Sequence, residues 1–279
     1  MEKFSIIICS KNEANRVEAC IRSVLTLNSD EILLVDGNST DNTINIIKKY
    51  SQVKIISTKN SCLTQDRQVG IDAARNKLVL MIDCDHEPKK EQVRIMYEDL
   101  KANDYAIVQA RLNILENDFW TKAENFSLKI TQIPGKKNKM LGTAPAFFDK
   151  EKLQNFKFDS NITKTIDDSD YFYRLSKLKN IKFGLSFAIV DCRHETGFRS
   201  YLKKFKWYGI GDAELGFKHK EKIVDIFYHL LFRYNVIYVT KAIIKLRFDT
   251  SIFFFLQGTI RFFYFLKNLS KFFITKQQE

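Results

Sequence analysis

"LVLMIDCDHEP", residues 78–88, decides how the rest of the chain is read. An apolar run, Leu78 to Ile82, stops at Asp83 and Asp85 with Cys84 between them. Residues i and i+2 of a strand share a face, so the two carboxylates are expected side by side at the strand's end. At about 5–6 Å two unit charges repel by roughly 3 kcal/mol at an effective dielectric of 20. A proton, a basic side chain or a metal cation has to offset that.

Working outward, the first hundred residues alternate between short apolar runs and helical spacings. Strands are expected at 4–9, 31–35, 53–57 and 78–82, and helices at 15–27, 40–50, 64–74 and 89–103, with Thr40 or Asp41 as an N-cap. This is the pattern of βαβ units around a parallel sheet, whose strand C-terminal ends share the edge where such sheets bind ligands. The fold class is therefore α/β, a mostly parallel sheet flanked by helices. Further on, 105–112 and 144–149 are expected as strands, 119–130 and 168–180 as helices, and "PGKKNKMLG" (134–142) as a basic loop.

The chain has 279 residues, 45% of them hydrophobic, which excludes global disorder. Its formal net charge of +12 suits an anionic partner: nucleic acid, a phosphorylated ligand or an acidic membrane face. Five scattered cysteines without a CxxC pair read as free thiols in a reducing compartment. The opening apolar run is too short for a signal peptide, so a cytoplasmic protein is expected. Composition shifts near residue 222. Residues 222–279 hold nine Lys or Arg, three Asp or Glu, and 11 of the 24 Phe. Two regions are expected: 1–221, and a helical, amphipathic extension over 222–279. The longest charge-free run there, Thr250–Ile260, is 11 residues, against the roughly 20 that a membrane span needs. Phe-rich faces with Lys and Arg fit a helix lying on anionic lipid; a helical cover or a homo-oligomer interface are the other readings.

Four polar clusters fall at element ends: "SKNEANR" (10–16), "VDGNSTDNT" (35–43), "DCD" (83–85) and "IDDSD" (166–170). Each alone reads as a loop or helix cap. Together, in this order, they resemble the family 2 glycosyltransferases of the GT-A fold. The resemblance rests on Asn12-Glu13 after the first strand, on "VDGNSTDNT", on "ARNKLVLMIDCD", on "DDSDYFYRL" and on "RHETGFRSYLKKFKWYGIG", across roughly residues 4–216. Three positions depart from the pattern: Gly37 replaces a second acid, Asp167 stands where Glu is commoner, and Lys77 stands where a small residue is usual.

The resemblance implies an inverting transferase that uses a nucleotide-diphosphate sugar, UDP-sugar favoured, and a glycan or lipid-linked acceptor. It implies Mg²⁺ or Mn²⁺ on Asp85 and Asp83, with His194 as a further ligand, although a loop or core histidine is the plainer reading. Asp83 would act through water or reach the ribose. Asp36 is implied at the base of the nucleotide, with Asn12 and Glu13 in the same pocket. Arg67 is implied at phosphate or base, against an ordinary solvated arginine. Asp168 is the implied general base, with Asp167 beside it. Rival readings are a non-catalytic nucleotide-sugar-binding relative, a basic nucleic-acid binder, which lacks any recognisable motif, and a phosphohydrolase using "DCDHE". The enzyme is expected at the cytoplasmic face of the membrane, as a peripheral protein.

Overall fold

The computed structural model describes residues 1–59, 61–135, 142–162 and 166–275, with side chains to residue 270. Most of the expected basic loop, residues 136–141, lies outside the described residues. The strands are β1 (Phe4–Ser10), β2 (Glu31–Asp36), β3 (Val53–Ser57), β4 (Leu78–Asp83), β5 (His86–Glu87), β6 (Ile107–Ile114), β7 (Ala146–Asp149) and β8 (Phe183–Cys192). The helices are α1 (Val17–Leu25), α2 (Thr43–Ile47), α3 (Leu63–Ala73), α4 (Lys90–Ala102), α5 (Phe119–Thr131), α6 (Lys150–Leu153), α7 (Asp167–Leu175), α8 (Phe198–Lys218), α9 (Ile223–Tyr228), α10 (Val239–Ile244) and α11 (Phe248–Thr275). A π-helical stretch, His229–Tyr238, joins α9 to α10.

The chain forms two compact units. The first comprises Met1–Asn113, Ile133–Thr163 and Asp167–Arg193. It carries an eight-stranded sheet of order β3-β2-β1-β4-β7-β6-β8-β5. β3, β2, β1 and β4 run parallel, as the βαβ alternation requires. Beyond them β7 pairs antiparallel with β4 and β6, and β5 with β8. β1 is buried along its whole length. Ile6 and Ile8 pack with Val17, Ile21, Val93 and Met96 on one face. Ile7 and Cys9 pack on the other with Val35, Met81 and the α7 residues Tyr171 and Phe172. A strand covered on both faces reads as an unbroken apolar run, and β1, β2 and β4 do so. α3 comes close to this sheet at Gly70, where a Cβ would overlap the side chains of Ile7 and Val35. That approach brings the buried polar pair Asp66 and Arg67 to the sheet.

The second unit comprises Ile114–Gln132, Lys164–Ile166 and His194–Glu279, so the compositional shift at residue 222 lies within it. Its core holds Tyr201 and Phe205 of α8, Leu230, and Phe253, Phe254 and Phe265 of α11. Arg261 of α11 makes a buried bidentate pair with Asp212 of α8, both contacts at 2.9 Å, and donates to the Tyr234 hydroxyl at 3.1 Å. The phenylalanines of α11 divide: Phe253, Phe254 and Phe265 are buried, while Phe248, Phe255 and Phe263 are exposed. Among the described residues, no helix is long and apolar enough to cross a membrane. The five cysteines are free thiols.

Candidate functional site

The register of the parallel strands assembles the site's floor. Ser10 lies opposite Asp36 on β2, and Cys9 opposite Asp83 on β4. The acids ending β2 and β4 thus flank the end of β1, on the edge where an open α/β sheet takes ligands.

β4 ends at Asp83, and Asp85 follows in a turn before β5, so the carboxylates converge across a turn rather than along a strand face. Cys84 points away, its thiol on the Cys9 carbonyl at 3.4 Å. One ligand atom each from Asp83, Asp85 and His86 fall within 4.8 Å of one another. His86 accepts at Nδ1 from the Asp83 amide at 3.1 Å, so the neutral ring carries its proton on Nε2, 3.6 Å from Asp85 Oδ1. At 3.6 Å that contact is longer than a hydrogen bond, and His86 stays within the group of side chains that could hold an ion. The two carboxylates remain an oxygen donor set of the kind Mg²⁺ or Mn²⁺ prefers, completed by water and phosphate oxygens.

Arg67 is buried and does not lie on a solvated helix face. Its Nη2 stands 3.3 Å from both oxygens of Asp83, and its Nη1 donates to Asp167. One guanidinium therefore links the end of β4 to the start of α7, and so holds Asp168 in the same neighbourhood. Asp168 Oδ1 accepts from the Ser169 amide at 2.7 Å. Burial, and after it the adjacent Asp167 charge, push the Asp168 carboxyl up to about 6, with Arg67 pulling the other way. Ile166, just before the dyad, has φ +68°, a conformation that a β-branched residue adopts only under constraint.

The motif loops are fastened to each other. The Asn12 amide donates to Ser39 Oγ at 2.9 Å, and Asn12 Oδ1 accepts from the Thr40 amide at 2.8 Å. The Glu13 amide donates to Thr43 Oγ1 at 2.8 Å, and the Ala14 amide to Asp41 at 3.1 Å. Asp41 also accepts from the Thr43 amide at 3.0 Å, but α2 starts later than expected and its N-cap position falls on Asn42, not on Thr40 or Asp41. The Glu13 carboxylate pairs with Arg16 at 2.8 Å; burial raises its pKa against that pairing. Asp36 is buried and accepts from Ser10 Oγ at 3.2 Å and from the Ser39 amide at 2.9 Å. Asn12, Glu13 and Asp36 thus share a loop pair whose "STDNT" hydroxyls and carboxylate are its fasteners.

His194 lies in the second unit. Glu124 of α5 is buried there and accepts from His194 Nδ1 at 2.8 Å, Tyr201 OH at 2.7 Å and Lys204 Nζ at 2.6 Å. Lys204, with the His194 ring beside it, holds its carboxyl well below the usual range despite burial. Lys204 is therefore committed to Glu124.

Within the first unit, the structure brings together Asp83, Asp85, Arg67, Asp167 and Asp168. Sequence reasoning missed Asp66, His86 and Glu124. Asp66 and Glu124 sit inside helices, in "TQDRQ" and "KAENF", where polar neighbours gave no sign of burial.

Comparison with known proteins gives the family and the fold. The pattern of the family described as "Glycosyl transferase family 2" matches residues 5–163, more than half the chain. A cholesterol galactosyltransferase of Borreliella burgdorferi is 32% identical over 118 residues, 40% of this chain and 33% of that protein. Glycosyltransferase GlyG of Streptococcus pneumoniae is 24% identical over 153 residues, 50% of this chain and 51% of that protein. The match to these curated relatives thus spans between a third and about half of their length. Among solved structures, residues 1–349 of S. aureus TarS superpose with a TM-score of 0.55 at 14% identity, over 99% of this chain and 92% of that one. The same TarS piece with UDP-GlcNAc gives 0.54. At that identity the likeness concerns the fold.

Proposed function

This chain belongs to glycosyl transferase family 2, and from that premise we propose that it moves a sugar, with inversion, from a nucleoside-diphosphate donor to a hydroxyl of a glycan or lipid-linked saccharide. The observation that carries the reading is Arg67 tying Asp83 to Asp167, because it gathers the diphosphate end and the acid–base end of such a reaction around one buried cation. A UDP-sugar is favoured, in keeping with the UDP-GlcNAc complex of TarS.

Asp168 acts as general base. A carboxyl near pKa 6 is ionised at neutral pH yet basic enough to take the acceptor hydroxyl's proton as it attacks the anomeric carbon. The logic matches the base of inverting glycoside hydrolysis, with a sugar hydroxyl in place of water. Asp167, neutralised by Arg67, holds the helix start. Asp85 and Asp83 would hold Mg²⁺ or Mn²⁺, and such an ion supplies charge neutralisation for the leaving diphosphate. By family resemblance His194 would be a further ligand. Asn12, Glu13 and Asp36 frame the nucleoside side of the pocket. Residues 222–279 attach the enzyme peripherally to an anionic membrane face on the cytoplasmic side.

The test is a screen of nucleotide-sugars for hydrolysis and thermal shift, with and without Mn²⁺. A metal-dependent response to UDP-sugars supports the reading, and no response to any nucleotide-sugar overturns it.

A further inference from the structure

Gly37 is where this chain departs from its family, which places a second acid after Asp36. The structure shows what lies against that position. A Cβ built on Gly37 would stand 2.8 Å from Oδ2 of Asp66, closer than a real Cβ sits to any oxygen. Asp66 is 4% exposed. Its Oδ1 accepts from Thr58 Oγ1 at 2.7 Å and Ser61 Oγ at 2.6 Å. Among the described residues no donor serves its Oδ2. Oδ2 is not fully enclosed, so a donor from outside the chain, water or a ligand, can reach it. Asp36, the residue that the resemblance implies at the base, is already engaged within the site. Ser10 and Ser39 take both of its oxygens, and it is 3% exposed.

Resting on the nucleotide-donor reading above, we infer that Asp66 Oδ2, presented by α3 through the gap left by Gly37, accepts the ring N–H of the donor's base. The loop's missing acid is thus replaced by a carboxylate from another element, and Gly37 is small because Asp66 occupies the space. An acceptor-only group at this point selects an imide. Uracil offers N3–H, whereas cytosine offers a lone pair at N3 and is repelled.

The test measures UDP and CDP binding by calorimetry on the full chain with Mg²⁺. The wild type is expected to prefer UDP by about tenfold or more, the worth of one charge-assisted hydrogen bond. Asp66→Asn, whose amide can donate to cytosine N3, should erase or reverse that preference. Asp66→Ala should lose it, and Asp66→Ala combined with Gly37→Asp should recover it, because the acid returns to the loop. Gly37→Asp alone should bind UDP more weakly, since two carboxylates then crowd one place. Thermal unfolding of each variant separates lost binding from lost fold, and recovery in the double variant does not depend on the single ones folding well. A wild type that binds neither nucleotide overturns the donor reading and this inference with it. A wild type that prefers UDP, with Asp66→Asn keeping the same ratio, overturns the inference alone.

Discussion

Arg67 on α3 donates to Asp167 at the start of α7, a hundred residues further along the chain, and both side chains are buried. The pair closes the first unit across the sheet edge and neutralises one member of the acidic dyad. Breaking a buried pair by removing one partner typically costs about 3–5 kcal/mol, because the other charge is left uncompensated. Arg67→Met should therefore destabilise the protein by that order in denaturant titration. It should also move the titration of Asp168 to higher pH, since Arg67 is the group that lowers it. A variant as stable as wild type with an unshifted pH profile would contradict the arrangement.

Asp168→Asn keeps the shape of the carboxyl and cannot take a proton. It should leave UDP binding intact and lower transfer by about 10²–10⁴, the usual worth of a positioned base. In the wild type, transfer should fall as pH drops through about 6, where Asp168 protonates. The stability effect has the opposite sign. A carboxyl whose pKa is raised on folding stabilises the fold below its ordinary range, and that contribution is lost as pH rises through about 6. If Asp167→Asn is the inactive variant and Asp168→Asn retains transfer, the base is misassigned.

Asp85→Ala should abolish metal-dependent nucleotide binding while leaving the fold unchanged, since Asp85 lies in a turn and its side chain is a quarter exposed. Calorimetry with UDP, with and without Mn²⁺, reads this directly. Undiminished metal-dependent binding would remove Asp85 from the ligand set. His86→Asn, by contrast, should weaken binding only partially, as expected for a neutral side chain beside the two carboxylates.

How far the sequence disclosed this molecule depended on what each segment packs against. β1, β2 and β4 were legible because burial on both faces makes them continuous apolar runs. β8 was not, because its outward positions Phe187 and Ile189 are apolar yet exposed and hide its alternation. β5 has only two residues. The acids of the site were legible as motifs, but the burial of Arg67 was not, since its partner is remote in the chain. Local spacing offered nothing to distinguish "TQDRQ" from a solvated turn of helix. The same limit hid Asp66, whose significance depends on the missing side chain at Gly37.

The second unit leaves several large apolar side chains exposed. Val224, Ile244, Leu246 and Phe248 are between 62% and 77% exposed, with Lys241, Lys245 and Arg247 interspersed. We propose that these groups, with the exposed Lys241 and Lys245 among them, contact anionic lipid. The buried phenylalanines of α11 already satisfy its packed face, so deleting the segment would remove core as well as surface. Point substitution separates the two. Ile244→Glu with Leu246→Glu should leave thermal unfolding within about 1 kcal/mol, as surface changes do. The pair should nevertheless release the protein from anionic vesicles in flotation. Wild-type attachment should also weaken as salt rises, because Coulomb attraction to the surface is screened within about 10 Å at 0.1 M. A double variant that floats as well as wild type would refute lipid contact at this face. If it detaches and remains folded, a membrane-held acceptor follows as the economical reading, since an enzyme tethered at the bilayer meets a tethered substrate at raised effective concentration.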